Sequence, residues 1–336
     1  MKVWAHIAGC LERGAPCALV TVARADGSTP REAGARMVVT EDGGFYGTIG
    51  GGSLEFEAIR KASADVRAHE PAFHVRTVSL GPDLGQCCGG RVEIAIEVLT
   101  DANLEEARHL ASLETAGEAF TTVALVSDNT VQPRRVRQEA ATRPFALETD
   151  SEGRAQLLVE RFGTPLRPVF LFGAGHVGKA LVLALAPLPF EIVWIDSRPE
   201  QFPGPVPANV RKVASQNPAA ELDSAPDGAF VLAMTHSHAL DEEIMARALL
   251  RQRFSYCGLI GSATKRARFL KRLKSRGLTE SLLADMVCPV GVSAVHSKQP
   301  AAIAAGIAVE LLIRDEAGRQ QVTAREGLAQ KHTLGQ

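Results

Sequence analysis

The sequence VFLFGAGHVGKAL, residues 169–181, decides the fold of the second half of the chain. An apolar run precedes three glycines, Gly173, Gly175 and Gly178, which have the G-x-G-x-x-G spacing, and a helical pattern follows them. This combination is typical of a Rossmann unit, where the glycines serve a tight turn, a close approach to a pyrophosphate and tight helix–strand packing. The amides at the helix start, at His176, would then face an anion.

An acidic residue follows the next predicted strand at the expected distance. The stretch IVWID ends in Asp196, 21 residues after Gly175, where an acid that binds a ribose is expected. Arg198, two residues further on, could pair with an added phosphate or be solvated. The pattern predicts a nucleotide site and leaves the nucleotide open; the alternative is a glycine turn that holds no ligand.

The chain around this unit divides into two predicted domains. Strands and helices alternate over 164–320, which predicts a Rossmann-like, doubly wound parallel sheet. Residues 1–163 predict a smaller α+β domain with a mixed or antiparallel sheet, in which the polar stretch 128–154 forms a weakly packed, irregular edge and Ser53 caps a helix. The segment 321–336 is predicted to be a frayed tail.

Two further loops are predicted at the carboxyl edge of the parallel sheet, where open α/β sheets bind ligands. THSHALD, residues 235–241, contains His236 and His238, and GLIGS, residues 258–262, contains Gly261 and Ser262. Two histidines without a third ligand favour a metal site only weakly. Capping of the next helix and contact with an anionic ligand are the alternatives.

Three glycine-rich loops predict a ligand cradle in the first domain, with simple tight turns as the alternative. GSTPREAGARM (27–37) carries Arg31, and LGPDLGQCCGG (80–90) carries Cys87, Cys88 and Gly89. GTIGGGSLE (47–55) places three glycines directly before a helix, and they are Gly50, Gly51 and Gly52.

Composition excludes several classes of protein. The 336 residues are 46% hydrophobic and 22% charged with a formal net charge of -1, which argues against general binding of nucleic acid or a membrane surface. The sequence has no apolar run of about 18 residues and no signal peptide, so we expect a cytoplasmic protein with reduced thiols. A homodimer is the commonest symmetric assembly and is expected here on that ground alone.

The ordered set of motifs resembles the XdhC/CoxI family of xanthine dehydrogenase accessory proteins. The motifs are GSTPREAGARM, GTIGGGSLE, LGQCCGG, LFGAGHVG, VWIDSRPEQFP, MTHSHALD, GLIGSATKRARF and CPVG…KQPAAIA. The resemblance implies a non-catalytic chaperone that binds the molybdenum cofactor (Mo-molybdopterin). Such a chaperone receives the cofactor from its biosynthesis proteins, holds it while a cysteine desulfurase replaces an oxo ligand by sulfur, and inserts it into apo-xanthine dehydrogenase.

The resemblance also assigns roles to the cysteines. Many relatives have one cysteine before the glycine pair, which makes Cys88 the family cysteine and the expected ligand or guard of molybdenum; a reduced thiolate is a soft ligand suited to that metal. An inert buried thiol is the alternative. Relatives usually carry an acidic residue near Gln299, and its absence here puts in doubt any role for a carboxylate at that place.

Two other functions remain open at this point. The second domain alone would suit an NAD(P)-dependent oxidoreductase with His236 or His238 as proton donor, although nothing in the sequence fixes a substrate. A metal-dependent hydrolase built on THSH would lack a third ligand. The glycine-rich loops of the first domain favour the cofactor chaperone.

Overall fold

The computed structural model describes residues 2–81, 89–117, 119–137, 141, 143–149, 156–163 and 166–333, with side chains up to Arg319 in the last range. Contacts divide the chain into two compact units, 1–165 and 166–336.

The first unit is built around a five-stranded antiparallel sheet in the order β3-β2-β1-β5-β4. Strand β1 is buried along its first seven residues because helix α2 covers one face of the sheet while α1 and α3 cover the other. The elements are α1 (Val3–Glu12), β1 (Cys17–Asp26), β2 (Arg36–Thr40), β3 (Phe45–Gly47), α2 (Gly52–Arg67), β4 (Ala72–Ser79), β5 (Arg91–Leu99) and α3 (Leu104–Ala116).

A second antiparallel sheet, in the order β7-β6-β10-β9 with β8 also paired to β6, completes this unit. Its strands are β6 (Phe120–Ser127), β7 (Thr130–Val131), β8 (Arg135–Arg137), β9 (Phe145–Thr149) and β10 (Gln156–Phe162). The prediction of an irregular, weakly packed edge over 128–154 was therefore wrong. Strands of two to five residues are too short for polar–apolar alternation to reveal them, and pairing with β6 and β10 holds them in place.

The same region contributes a buried cation to the core. The side chain of Arg134 is 1% exposed and donates to both Glu97 and Glu160, whose side chains are 7% and 2% exposed. Arg36, also buried, lies 3.4 Å from a second oxygen of Glu160. Strands β2, β5 and β10 and the segment before β8 therefore meet through a network of paired charges rather than through apolar contacts alone.

The second unit is a six-stranded parallel sheet in the order β13-β12-β11-β14-β15-β16. Counted from β11, this is the strand order 3-2-1-4-5-6 of a Rossmann fold, so the predicted fold class is confirmed. The elements are β11 (Arg167–Phe172), α4 (His176–Leu185), β12 (Phe190–Asp196), β13 (Val210–Ala214), β14 (Phe230–Ala233), α5 (His238–Arg251), β15 (Tyr256–Leu259), α6 (Ala263–Ser275), α7 (Glu280–Ala284), β16 (Met286–Val287) and α8 (Pro300–Thr333).

Helices cover both faces of this sheet. Helices α4 and α8 pack against one face around Trp194, and α5 and α6 pack against the other around Phe172. The backbone of α8 stays helical to Thr333, where a frayed tail was predicted from 321 onward; Ala, Arg, Glu and Gln in that stretch are good helix formers. Within the described ranges no helix is long and apolar enough to span a membrane.

Candidate functional site

The glycine-rich loops of the first unit pack against one another at one end of the first sheet. A Cβ added at Gly90 would lie 2.4 Å from the carbonyl oxygen of Ser28, and one added at Gly50 would lie 2.4 Å from Cβ of Pro30. The loop 27–35 is thus in direct contact with both other loops. The structure brings these loops together, as a cradle requires.

The three consecutive glycines have backbones that other residues rarely adopt. Gly50, Gly51 and Gly52 have φ angles of 126°, 76° and 63°. Gly51, and not Ser53 as predicted, is the N-cap residue of α2, and no side chain caps this helix. The prediction was wrong because Ser53 already lies within the helix, which the unusual glycine backbones allow to begin at Gly52.

A side chain of the helix occupies the amides of this loop. One oxygen of Glu55 accepts hydrogen bonds from the hydroxyl of Thr48 at 2.5 Å, from Ile49 N at 3.0 Å and from Gly51 N at 3.3 Å. Burial raises the pKa of Glu55, but these donors outweigh burial and leave the pKa below its usual value. The triple glycine therefore holds an internal carboxylate.

A cavity of about 630 Å³ opens beside the start of α2, between this helix and strands β4 and β5. Gly52 and Ser53 line its rim. Val78, Ile94 and Ile96 provide an apolar wall, the exposed ring of Phe56 stands at its side, and Glu57, Lys61 and Arg76 add charges. Its volume falls in the range of small-molecule sites, which combine apolar walls with a few polar groups.

The remaining residues predicted for the cradle lie elsewhere or outside the described residues. Arg31 pairs with Glu32 and lines a neighbouring cavity of about 400 Å³, so it does not face the larger one. Cys87 and Cys88 lie outside the described residues, and their roles stay predictions. Gly89, which follows them, has open space where a Cβ would be.

The glycine turn of the second unit is packed as its spacing predicts. A Cβ at Gly173 would lie 2.3 Å from the carbonyl oxygen of Met234, at the end of β14, and one at Gly178 would lie 2.1 Å from the carbonyl oxygen of Gly173. At Gly175 there is open space, and this residue is the N-cap of α4, with His176 first in the helix. Two of the glycines therefore serve close packing, while the third leaves room for a ligand.

The acid at the end of β12 has its oxygens engaged within the chain. Asp196 accepts from Ala174 N at 2.7 Å and from Arg198 N at 3.0 Å, and Arg198 Nε and Nη2 each donate to it at 3.0 Å. Burial raises the pKa of Asp196, but Arg198 and the amides outweigh it and lower the pKa overall. The two interpretations of Arg198, phosphate partner or solvated charge, are replaced by an ion pair with its neighbour.

This ion pair predicts weak binding of NAD⁺. A ribose could bind Asp196 only by displacing Arg198, whose charged bonds would be lost. We expect Arg198→Gln to bind NAD⁺ at least about tenfold more tightly than the wild type in calorimetric titrations, because it frees the carboxylate. Arg211→Gln, which removes an exposed arginine of β13, is the control. Tighter binding by the wild type than by Arg198→Gln would contradict this assignment.

The THSHALD loop folds around a buried carboxylate instead of a metal. Asp241, fully buried, accepts from Thr235 N at 2.9 Å and from its hydroxyl at 2.8 Å, and Lys265 Nζ lies 2.9 Å from its other oxygen. Ser237 caps α5, while His238 lines a cavity beside Ser262. Within the described part of the chain, no group of three or more His, Cys, Asp or Glu residues could hold a metal ion, so His236 and His238 are not brought together with a third ligand.

Sequence reasoning missed several residues of the larger cavity. Phe56, Lys61 and Arg76 follow no motif, because each is one residue in an ordinary helix or strand pattern. An exposed phenylalanine one turn after a glycine-rich helix start was the only signal that could have found the first of them.

Comparisons with known proteins agree with this architecture. The family model described as "XdhC and CoxI family" matches residues 10–79, and the model described as "XdhC Rossmann domain" matches residues 169–311. The chain is 27% identical over 321 residues to the uncharacterised protein YqeB of Escherichia coli, covering 93% of this chain and 46% of that protein. It therefore spans less than half the length of this relative.

Two further relatives match over nearly their whole length. A protein of Bacillus subtilis, described as one of the probable subunits of a xanthine dehydrogenase, is 24% identical over 324 residues, covering 90% of this chain and 94% of that protein. A crystal structure from Bacillus halodurans, described as a xanthine dehydrogenase, shares the fold with a TM-score of 0.70 at 23% identity, covering 94% of this chain and 96% of the other. Because the two family models fall one in each unit and together match more than half of the residues, the chain belongs to the XdhC and CoxI family.

Proposed function

We propose that this protein is an accessory factor of a xanthine dehydrogenase and that it carries the molybdenum cofactor as cargo. Family membership and the Bacillus subtilis relative, whose description names a xanthine dehydrogenase, support the accessory role. The observation that carries the cargo assignment is the cavity of about 630 Å³ beside the triple glycine.

The side chains around this cavity fit the chemistry of a phosphorylated pterin. A flat heterocycle gains from contact with apolar residues and with the face of an aromatic ring, which Val78, Ile94 and Phe56 supply. Glu57 is an acceptor for ring amino groups, and Lys61 and Arg76 are donors for a phosphate. Lys61 is paired with Asp65 at 2.6 Å, whereas Arg76 is exposed and makes no ion pair within the described residues.

The predicted role of Cys88 is compatible with this location. Strand β4 ends at Ser79 beside the cavity, and the chain re-enters the described structure at Gly89 before β5, which lines the same cavity. The two ends of the cysteine segment therefore flank the cavity wall. The participation of Cys88 in holding molybdenum, of a cysteine desulfurase as partner and of a homodimer are parts of the proposal that rest on the resemblance or on general frequency.

Transfer of released cofactor tests the proposal. We expect the wild-type protein to increase the xanthine oxidation recovered when cofactor-free xanthine dehydrogenase is mixed with released cofactor, and to turn over neither purine nor NADH by itself. Arg76→Gln should retain less of the cofactor, measured as pterin fluorescence that co-elutes with the protein, by about tenfold because a charged hydrogen bond to phosphate is lost.

Arg135→Gln is the matched control, since Arg135 is an exposed arginine on the second sheet of the same unit and lies away from the cavity. Equal retention by Arg76→Gln and the wild type would place the cofactor elsewhere. Steady NADH oxidation by the protein alone would favour the oxidoreductase instead.

A further inference from the structure

The second unit contains a cationic cavity that neither the glycine turn nor the proposed cargo site uses. It measures about 400 Å³ and lies where β15 turns into α6. Hydroxyl groups and cations line it together, and they belong to His238, Ser262, Thr264, Lys265, Arg268 and Arg272. No acidic side chain is among its lining residues within the described part of the chain.

The cations differ in how far they are neutralised. Lys265 is paired with the buried Asp241 at 2.9 Å, and Arg272 lies 3.4 Å from Glu242, which it shares with Arg276 at 3.5 Å. Arg268 makes no ion pair or hydrogen bond within the described residues. The cavity therefore keeps a net positive charge, because its carboxylate partners are fewer than its cations.

One glycine fixes the position of the lysine at the cavity floor. A Cβ at Gly261 would lie 2.7 Å from Cδ and 3.1 Å from Cβ of Lys265, so the lysine stem passes directly over this glycine on its way to Asp241. Asp241 in turn is held by the amide and the hydroxyl of Thr235. Lys265 is consequently an ordered donor, with its side chain 17% exposed, rather than a freely moving surface lysine.

We propose that this cavity binds the phosphate group of a small phosphorylated molecule. Guanidinium and ammonium groups with nearby hydroxyls form the donor set that phosphate oxygens require. A concave site of this volume suits a small molecule, whereas an acidic protein surface would need a wide and flat basic face. Its location at the ends of β14 and β15 is on the other side of the strand-order reversal from Asp196, so the site is separate from the glycine turn.

Titration with pyrophosphate tests the site, and the readout does not involve the molybdenum cofactor. We expect the wild type to bind pyrophosphate by isothermal titration calorimetry at moderate salt, and Arg268→Gln to bind it about tenfold or more weakly. Lys271→Gln is the matched control: it removes one charge from the same helix, but Lys271 lines a different cavity with Arg266 and Lys274. Its affinity should stay within about twofold of the wild type.

Three outcomes would overturn the proposal. The first is no pyrophosphate binding by the wild type, and the second is an equal loss in both variants, which would indicate general attraction to a basic helix. The third is tight binding of polyglutamate that either substitution weakens equally, which would indicate a docking face for an acidic protein. Failure here would leave the transfer assay of the first unit unaffected, because that assay uses other residues.

Discussion

Arg134→Met is expected to lower the free energy of unfolding by about 3–5 kcal/mol, because it removes the cation from a buried network and leaves Glu97 and Glu160 without their main partner. Burial raises the pKa of Glu97, although Arg134 opposes this. Removing the arginine therefore leaves a carboxylate that must either stay charged and uncompensated or take up a proton. The measurement is urea unfolding, with hydrogen-exchange mass spectrometry to locate the loss in the first unit.

Arg135→Met is the control, since the next residue is exposed and the same substitution there should change stability by no more than about 0.5 kcal/mol. In the double variant with Glu97→Met, the total loss should be smaller than the sum of the two single losses, because both partners of one pair are then apolar. Additive losses, or a loss below about 1 kcal/mol for Arg134→Met alone, would show that the network contributes little.

Gly178→Ala is expected to destabilise the second unit by about 3 kcal/mol, because the new Cβ would lie 2.1 Å from the carbonyl oxygen of Gly173, which is backbone and cannot rotate away. Gly175→Ala should cost under about 1 kcal/mol, since its φ is -75° and nothing lies within 4 Å of its Cβ position. Thermal and urea unfolding of the two variants compare the same chemical change three residues apart.

The pair also separates folding from ligand approach. A folded Gly175→Ala variant that binds nucleotides less tightly than the wild type would show that a ligand comes close to this residue. Equal stability of the two alanine variants would contradict the packing described for Gly178.

The Rossmann unit could be predicted from the sequence because its signals are local. The strand, the glycines and the helix around Gly173 are contiguous, and buried parallel strands read as apolar runs such as PVFLF and IVWI. The partner of Asp196 lay only two residues away, yet the sequence alone was equally consistent with an Arg198 that binds phosphate or is solvated. The outcome depended on how the backbone turned after β12.

The first unit was harder because its decisive contacts are distant in sequence. Arg134 lies in a polar stretch, QPRRVRQEA, that looks solvated, and its partners Glu97 and Glu160 are 37 and 26 residues away. An arginine is seldom fully buried unless it is paired, so nothing local marked it. The glycine-rich loops were predicted correctly to come together, whereas the cavity side chains Phe56 and Arg76 lie on regular elements and carry no motif.

Glu55 has a consequence for how a carrier would exchange its load. The carboxylate already satisfies the amides of Ile49 and Gly51, so an incoming anion that takes these donors must first evict a tethered competitor. Such a swap trades one set of hydrogen bonds for a similar set, which keeps the net affinity modest and gives the departing molecule an immediate replacement. A loop of this kind favours temporary custody over permanent retention, and rapid release over tight storage.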